Sequence, residues 1–269
     1  MTPRWPRCGS HRLDRMVSIV VQEKIVPLFN TPVAGIVAGS VARTGGKSSP
    51  PYDGTNISFG VGDAASNVQY NRKRIKELFG LHSLVSAHQV HGDAVHRVAL
   101  PVGGDYIIDD HDALMTDGAG VGLMIGHADC QAVMLHDPVR RVVAAVHNGW
   151  RGSVANIVAK TIEEMKDAFG SHAAHLMAAI GPSLGPCCSE FVNYELELPT
   201  SFLPFRHGDS HFDFWQITRH QLLQCGVDDA SIHCVQVCTA CSPEFFSYRR
   251  ACRNGSGMTG RNASIIALV

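Results

Sequence analysis

Residues 127–152 read HADCQAVMLHDPVRRVVAAVHNGWRG, two apolar runs on either side of Asp137-Pro138-Val139-Arg140. Proline at the second position of that tetrapeptide is a turn signal, so the runs predict a β-hairpin. VVAAV at 142–146 shows no polar alternation; such a strand is buried on both faces and requires a layer above and below it. A two-residue Pro138-Val139 loop pairs Asp137 with Arg140 and, further down the hairpin, Cys130 with His147, their Cβ atoms about 4.5–5.5 Å apart. At that spacing a thiolate and an imidazole can share a metal ion or hydrogen-bond to each other. One residue of slip would turn them to opposite faces.

Beyond His147, the run Asn148-Gly149-Trp150-Arg151-Gly152 leads into a helix predicted over 154–169. Ser153 is its expected cap, its apolar stripe is Ile157, Val158, Ile162, Met165 and Phe169, and Gly170 is the stop. Glycines and an arginine at a helix start suit an anion. Upstream, Gln89-Val90-His91-Gly92 places a second imidazole at the end of a strand-like run, 84–91. His91, Cys130 and His147 together offer two imidazoles and a thiolate. A tetrahedral ion so held keeps one position open, as catalytic zinc sites do, and lowers the pKa of water there to about 7. Among fifteen histidines any single one is more often an ordinary polar residue, and spacing alone does not tie His91 to the hairpin.

Two further helices are predicted, 63–79 with Asp63 as N-cap and Gly80 as stop, and 215–225 ending at Gly226. Strand-like runs occupy 33–41, 84–91, 94–99, 121–127, 131–136, 141–147, 175–180, 231–237 and 263–269. The class is therefore α/β (α+β) with a multi-layer core. Residues 1–16 read as a disordered tail or a start misplaced upstream of Met16, and 17–269 as one domain. With 269 residues, 45% of them hydrophobic, the chain can bury a core without staples, which leaves any metal free for function. A net charge of -1 gives no basic stripe for nucleic acid, and no apolar window reaches the length of a membrane span. Nine scattered cysteines without a secretory signal suggest the reducing cytoplasm. A small-molecule substrate is the remaining expectation.

The motifs QVHG (89–92), ADC (128–130), HNGWRG (147–152), GPSLGPCC (181–188) and CT…FFSYRR…TGR (238–261) occur in that order, with RTGG (43–46), Asn56 and Asn71 upstream. Over roughly residues 33–269 the chain resembles the YfiH family, also called laccase-domain or multicopper polyphenol oxidase proteins. The resemblance implies a single compact domain with an α/β/β/α core and zinc held by His91, Cys130 and His147. It also implies action on purine nucleosides: phosphorolysis of adenosine, inosine and methylthioadenosine, and deamination of adenosine. Some members are linked instead to editing of peptidoglycan precursors. Phosphorolysis needs cationic side chains for phosphate, and Arg43, Arg151, Arg249 and Arg261 are the candidates. Two departures stand out. Asn148 replaces the alanine of HAGWRG at the expected pocket lip, and Cys241 adds a CxxC with Cys238. Cys187-Cys188 reads as packing beside a tight turn.

Other mechanisms fit the same residues. In a metal-free Cys-His hydrolase acting on a peptidoglycan precursor, Cys130 is the nucleophile, His147 its base, and the GWRG backbone the oxyanion hole. Copper can be bound by the same donors, but the chain has no HxH pair, and Met134 has no reason to point toward the site. Asp129 is a possible general base that strand alternation turns away from Cys130.

Overall fold

Burial on both faces of the hairpin at 131–148 is what builds the molecule. The computed structural model describes residues 24–99 and 103–269; the expected tail or misplaced start at 1–16 lies outside them. Strands β8 (Gln131–Asp137) and β9 (Val142–Asn148) are buried throughout. Val133, Leu135, Ala144 and Val146 point to one core, and Ala132, Met134, Val143 and Ala145 to another. Each fully buried Leu or Met stabilises by about 1.5–3 kcal/mol, so both faces must be covered.

One cover is a second sheet. It runs in the order β1 (Ile25–Pro27), β2 (Ile36–Val41), β14 (Asn262–Leu268), β7 (Val121–His127), β3 (Ser83–Ala87), β5 (Tyr106–Ile108). Strands β8 and β9 belong to the sheet ordered β13 (Ile232–Cys234), β10 (Met177–Ile180), β8, β9, β6 (Ala113–Thr116), β4 (Val95–Arg97). Val85, Leu123 and Ile125 meet Leu114, Met134 and Val143 between the sheets. Helix α1 (Ala65–Leu78) covers the far face of the first sheet through Ile75, against Leu84 and Met124. Helix α3 (Ile157–Phe169) covers the second through Val158, Ile162 and Met165. The result is the expected α/β/β/α stack. No helix among the described residues is long and apolar enough to cross a membrane.

Three local readings are corrected. The hairpin turn holds four residues, 138–141, because Asp137 Oδ1 accepts from the N–H groups of Val139 and Arg140 at 2.9 and 3.0 Å and Arg141 takes a left-handed φ of 53°. The register is therefore Asp137↔Val142 and Ala132↔His147, and Cys130 is not opposite His147. The slip is two residues, so both still share a face. The helix predicted over 154–169 is two helices, α2 (Trp150–Ala155) and α3, broken at Asn156, which is left-handed (φ 56°, ψ 49°) and accepts from Ala159 N. Ser153 caps neither; it is buried within α2 and its Oγ donates to Asn148 Oδ1. The run at 84–91 ends as a strand at Ala87, leaving His91 in a loop. The helix at 215–225 is α5 (Phe214–Gln224), with Asp213 accepting from Gln216 N.

Candidate metal centre

Two connections cross from one sheet to the other at the same end of the stack. Residues 88–94 join β3 to β4, and residues 128–130 join β7 to β8. The first carries His91 and the second Cys130; His147 sits near the end of β9. The donor nitrogens of the two histidines and the Cys130 sulfur all lie within 4.8 Å of one another. Cys130 Sγ is 3.9 Å from His91 Nε2, and the imidazoles meet edge to face with centroids 4.8 Å apart.

The loop around His91 is held at both ends by side chains. Gln89 donates to Gly126 O at 2.8 Å and accepts from Gly126 N at 3.0 Å, doing for the loop what a strand pairing would do. Asp112, fully buried, accepts from the backbone N–H of Val90, His91 and Gly92 at 3.2, 3.0 and 2.8 Å. These bonds hold His91 at a left-handed φ of 61°. The same carboxylate accepts from His147 Nδ1 at 2.7 Å, which leaves His147 Nε2 for a ligand. Asp112 was not foreseen: it lies just ahead of the four-residue strand β6, as the last residue of the acid-rich run DDHD (109–112), which reads as a loop.

Burial alone would push the Cys130 thiol up, but the His147 and His91 imidazoles beside it hold its pKa at about 6. Burial would depress His147, yet Cys130 and Asp112 raise it to about 9. The metal-free pair is thus a thiolate and an imidazolium. Nearby His127 is kept neutral, its pKa lowered to about 3 first by burial and then by the charges of His147 and Arg261; its Nε2 bonds Ser264 Oγ at 2.8 Å. Gly149 faces the donors, and a Cβ there would stand 3.1 Å from Cys130 Sγ and 3.2 Å from His91 Cδ2. Two imidazoles and a thiolate, with space kept by a glycine, fit an ion such as zinc bound at about 2.0–2.3 Å.

His91 and Cys130 open on a cavity of about 270 Å³ walled by Trp150, Arg151, Phe191, Phe214, Tyr248 and Arg249, among others. Of the four arginines singled out, two therefore reach it. Arg151 lies over the Trp150 ring, 4.6 Å from its centroid, and Arg249 donates to Glu190 O at 3.1 Å. Arg43 does not: it is paired with Asp53, stacks on Phe246 and borders a separate cleft with Arg250. Arg261 is not in the cavity wall either; its guanidinium donates to Thr259 O and Gly260 O, though it lies near enough to feel the charge of Cys130. Asp129 lies in the connection between β7 and β8 with a left-handed φ of 98°, so strand alternation does not apply to it, and it lines the same cavity as Cys130. It accepts from Thr239 Oγ1 at 2.7 Å and Arg249 N at 2.6 Å. Asn148 borders the cavity, but its side chain is spent on Gln131, Thr218 and Ser153, so it braces α2 and α5 rather than reshaping a lip. Of the Cys187-Cys188 pair, Cys188 is buried as expected, whereas Cys187 is exposed.

Sheet stack and donor cluster define the class first: a mixed α/β protein whose soft donors converge where two chain crossovers meet. The chain belongs to the YfiH family, and the family model described as multi-copper polyphenol oxidoreductase laccase matches residues 37–269. It is 33% identical to the purine nucleoside phosphorylase YlmD of Geobacillus stearothermophilus, covering 87% of this chain and 91% of that one. It is 34% identical to the purine nucleoside phosphorylase YfiH of Escherichia coli, covering 91% and 98%. The crystal structure of the Bacillus licheniformis hypothetical protein YfiH superposes with a TM-score of 0.78 at 30% identity, covering 87% and 93%.

Proposed function

We propose that this chain is a zinc-dependent purine nucleoside enzyme, catalysing phosphorolysis of adenosine, inosine or methylthioadenosine and deamination of adenosine. The observation that carries the reading is the convergence of His91, Cys130 and His147 within 4.8 Å, beside a cavity that His91 and Cys130 line together with aromatic side chains and two arginines. His91 and Cys130, with His147 through Nε2, would hold the ion, which supplies Lewis-acid polarisation of the reacting atoms when bound. Trp150, Phe191 and Tyr248 offer faces for a planar base. Arg151 and Arg249 are the phosphate candidates that remain, since planar guanidinium groups match phosphate oxygens. The relatives' names support the same substrate class. Metal analysis of the purified protein and product chromatography with adenosine, with and without phosphate, test the reading. Zinc together with adenine, formed only when phosphate is present, and inosine, formed without it, are the expected results. Absence of both zinc and free base overturns it.

One observation favours a second reading, a metal-independent Cys-His hydrolase acting on a peptidoglycan precursor. The His147 and His91 imidazoles beside Cys130 lower its thiol, and Cys130 and Asp112 raise His147, the direction that activates a cysteine nucleophile. Activity that survives chelation would select it. A copper oxidase reading draws nothing from Met134, which is buried in the core between the sheets.

A further inference from the structure

Among the described residues a second set of soft donors comes together, from motifs the proposed activity does not use. Cys187, Cys188, Cys238 and Cys241 place their sulfurs within 4.8 Å of one another. We propose that these four cysteines form a closed, four-sulfur site for a zinc-class divalent ion in the reduced protein, a clip for one wall of the cavity rather than a second catalytic centre.

The backbone sets the cluster up. Ser183 and Cys238 are bridged in parallel beyond the ends of β10 and β13. Gly185 lets the two loops close, since a Cβ there would lie 3.1 Å from Cys238 Cβ. Cys238 O accepts from Cys241 N at 3.2 Å and Ser242 N at 2.9 Å, folding the CxxC into a turn. Cys187 Sγ and Cys188 Sγ then stand 3.6 and 3.5 Å from Cys241 Sγ. A tetrahedral ion with bonds of about 2.3 Å holds its sulfurs roughly 3.8 Å apart, so these pairs need only small adjustments. Charge is also provided for. Arg253 Nη1 donates to Cys188 Sγ at 3.5 Å, which places a positive charge beside the four sulfurs.

Cys241 is disulfide-bonded in this structure, which makes the site redox-linked. A thiol or phosphine reductant supplies two electrons and, with two protons from solvent, converts that disulfide to two thiols. The ion then binds as thiol protons leave to solvent. Four protein ligands leave no open position, the pattern of structural rather than catalytic zinc. The clipped segments reach the cavity: Leu184 and Ser189 line it, and Asp129, beside Cys130, accepts from Thr239 of the CxxC turn.

The test uses the full chain carrying Cys130→Ala, which removes the thiolate of the first centre, reduced with a phosphine and given zinc alone. One zinc per folded chain is expected, and cobalt in its place should show the intense visible bands and thiolate charge transfer of a four-sulfur tetrahedral site. Adding Cys187→Ser and Cys238→Ser should abolish both signals. Should that variant fail to fold, the cobalt spectrum of Cys130→Ala alone decides. Absence of stoichiometric zinc in the reduced Cys130→Ala protein overturns the proposal, as does a cobalt spectrum lacking thiolate charge transfer. Neither result bears on the purine reading, which rests on the other centre.

Discussion

Asp112 Oδ1 stands 2.7 Å from His147 Nδ1, and the same buried carboxylate gathers the backbone N–H groups of Val90, His91 and Gly92. One side chain thus sets the tautomer of one candidate ligand and the loop of another. Partners of this kind are worth about 10–100-fold in metal affinity. Asp112→Asn keeps the size but loses the charge and one acceptor, and should weaken zinc binding by about that factor. Competition with a chromogenic chelator measures it; unchanged affinity would show that the loop holds its shape without the carboxylate.

Gly149→Ala tests the space left for the ion. The new Cβ would crowd Cys130 Sγ and His91 Cδ2 at 3.1 and 3.2 Å, so zinc content should fall while the far-ultraviolet circular dichroism stays as in the wild type. A variant retaining full zinc would mean that the donors can retreat without losing their convergence.

Cys130 should react as a thiolate in the metal-free protein. A thiol whose pKa is lowered to about 6 is protonated and inert below that pH and ionised above it. Iodoacetamide labelling, followed by mass spectrometry of the Cys130 peptide, should therefore rise with a midpoint near 6, whereas an ordinary cysteine rises near about 8.5. Replacing His147 by Asn removes the principal opposing charge and should move the midpoint up. A wild-type midpoint at the ordinary value would refute the ion pair.

The break between α2 and α3 rests on Asn156, left-handed and capping α3 through Ala159 N. Asn156→Ala loses a cap worth about 1 kcal/mol and adds a left-handed alanine costing roughly 1–2 kcal/mol. Asn156→Gly should cost only a few tenths. Thermal melts of the two variants should separate clearly, glycine above alanine.

Much of this architecture was legible in the chain because burial on two faces leaves a mark. VVAAV predicted layers above and below β9, and the first sheet and α3 supply them. The hairpin register was not legible, since a side-chain bond from Asp137, rather than the Pro-Val pair, decides the turn. That Cys130 and His147 nonetheless share a face follows from the even slip, not from the pairing first inferred. His91 had only family resemblance to recommend it, because its nearness to the hairpin comes from a crossover between sheets. Asp112 and the meeting of Cys187-Cys188 with Cys238 and Cys241 are products of tertiary folding, and no local spacing announces them.

The two crossovers carrying His91 and Cys130 leave different strands of one sheet and enter the other, where His147 already stands. An ion shared by the three would therefore act as a rivet through the laminate rather than a guest on its surface. Sliding one sheet over the other would have to break metal–ligand bonds. Loss of the ion should then be felt first as quickened amide exchange at the loop-proximal ends of β3 and β7, well before any helix loosens.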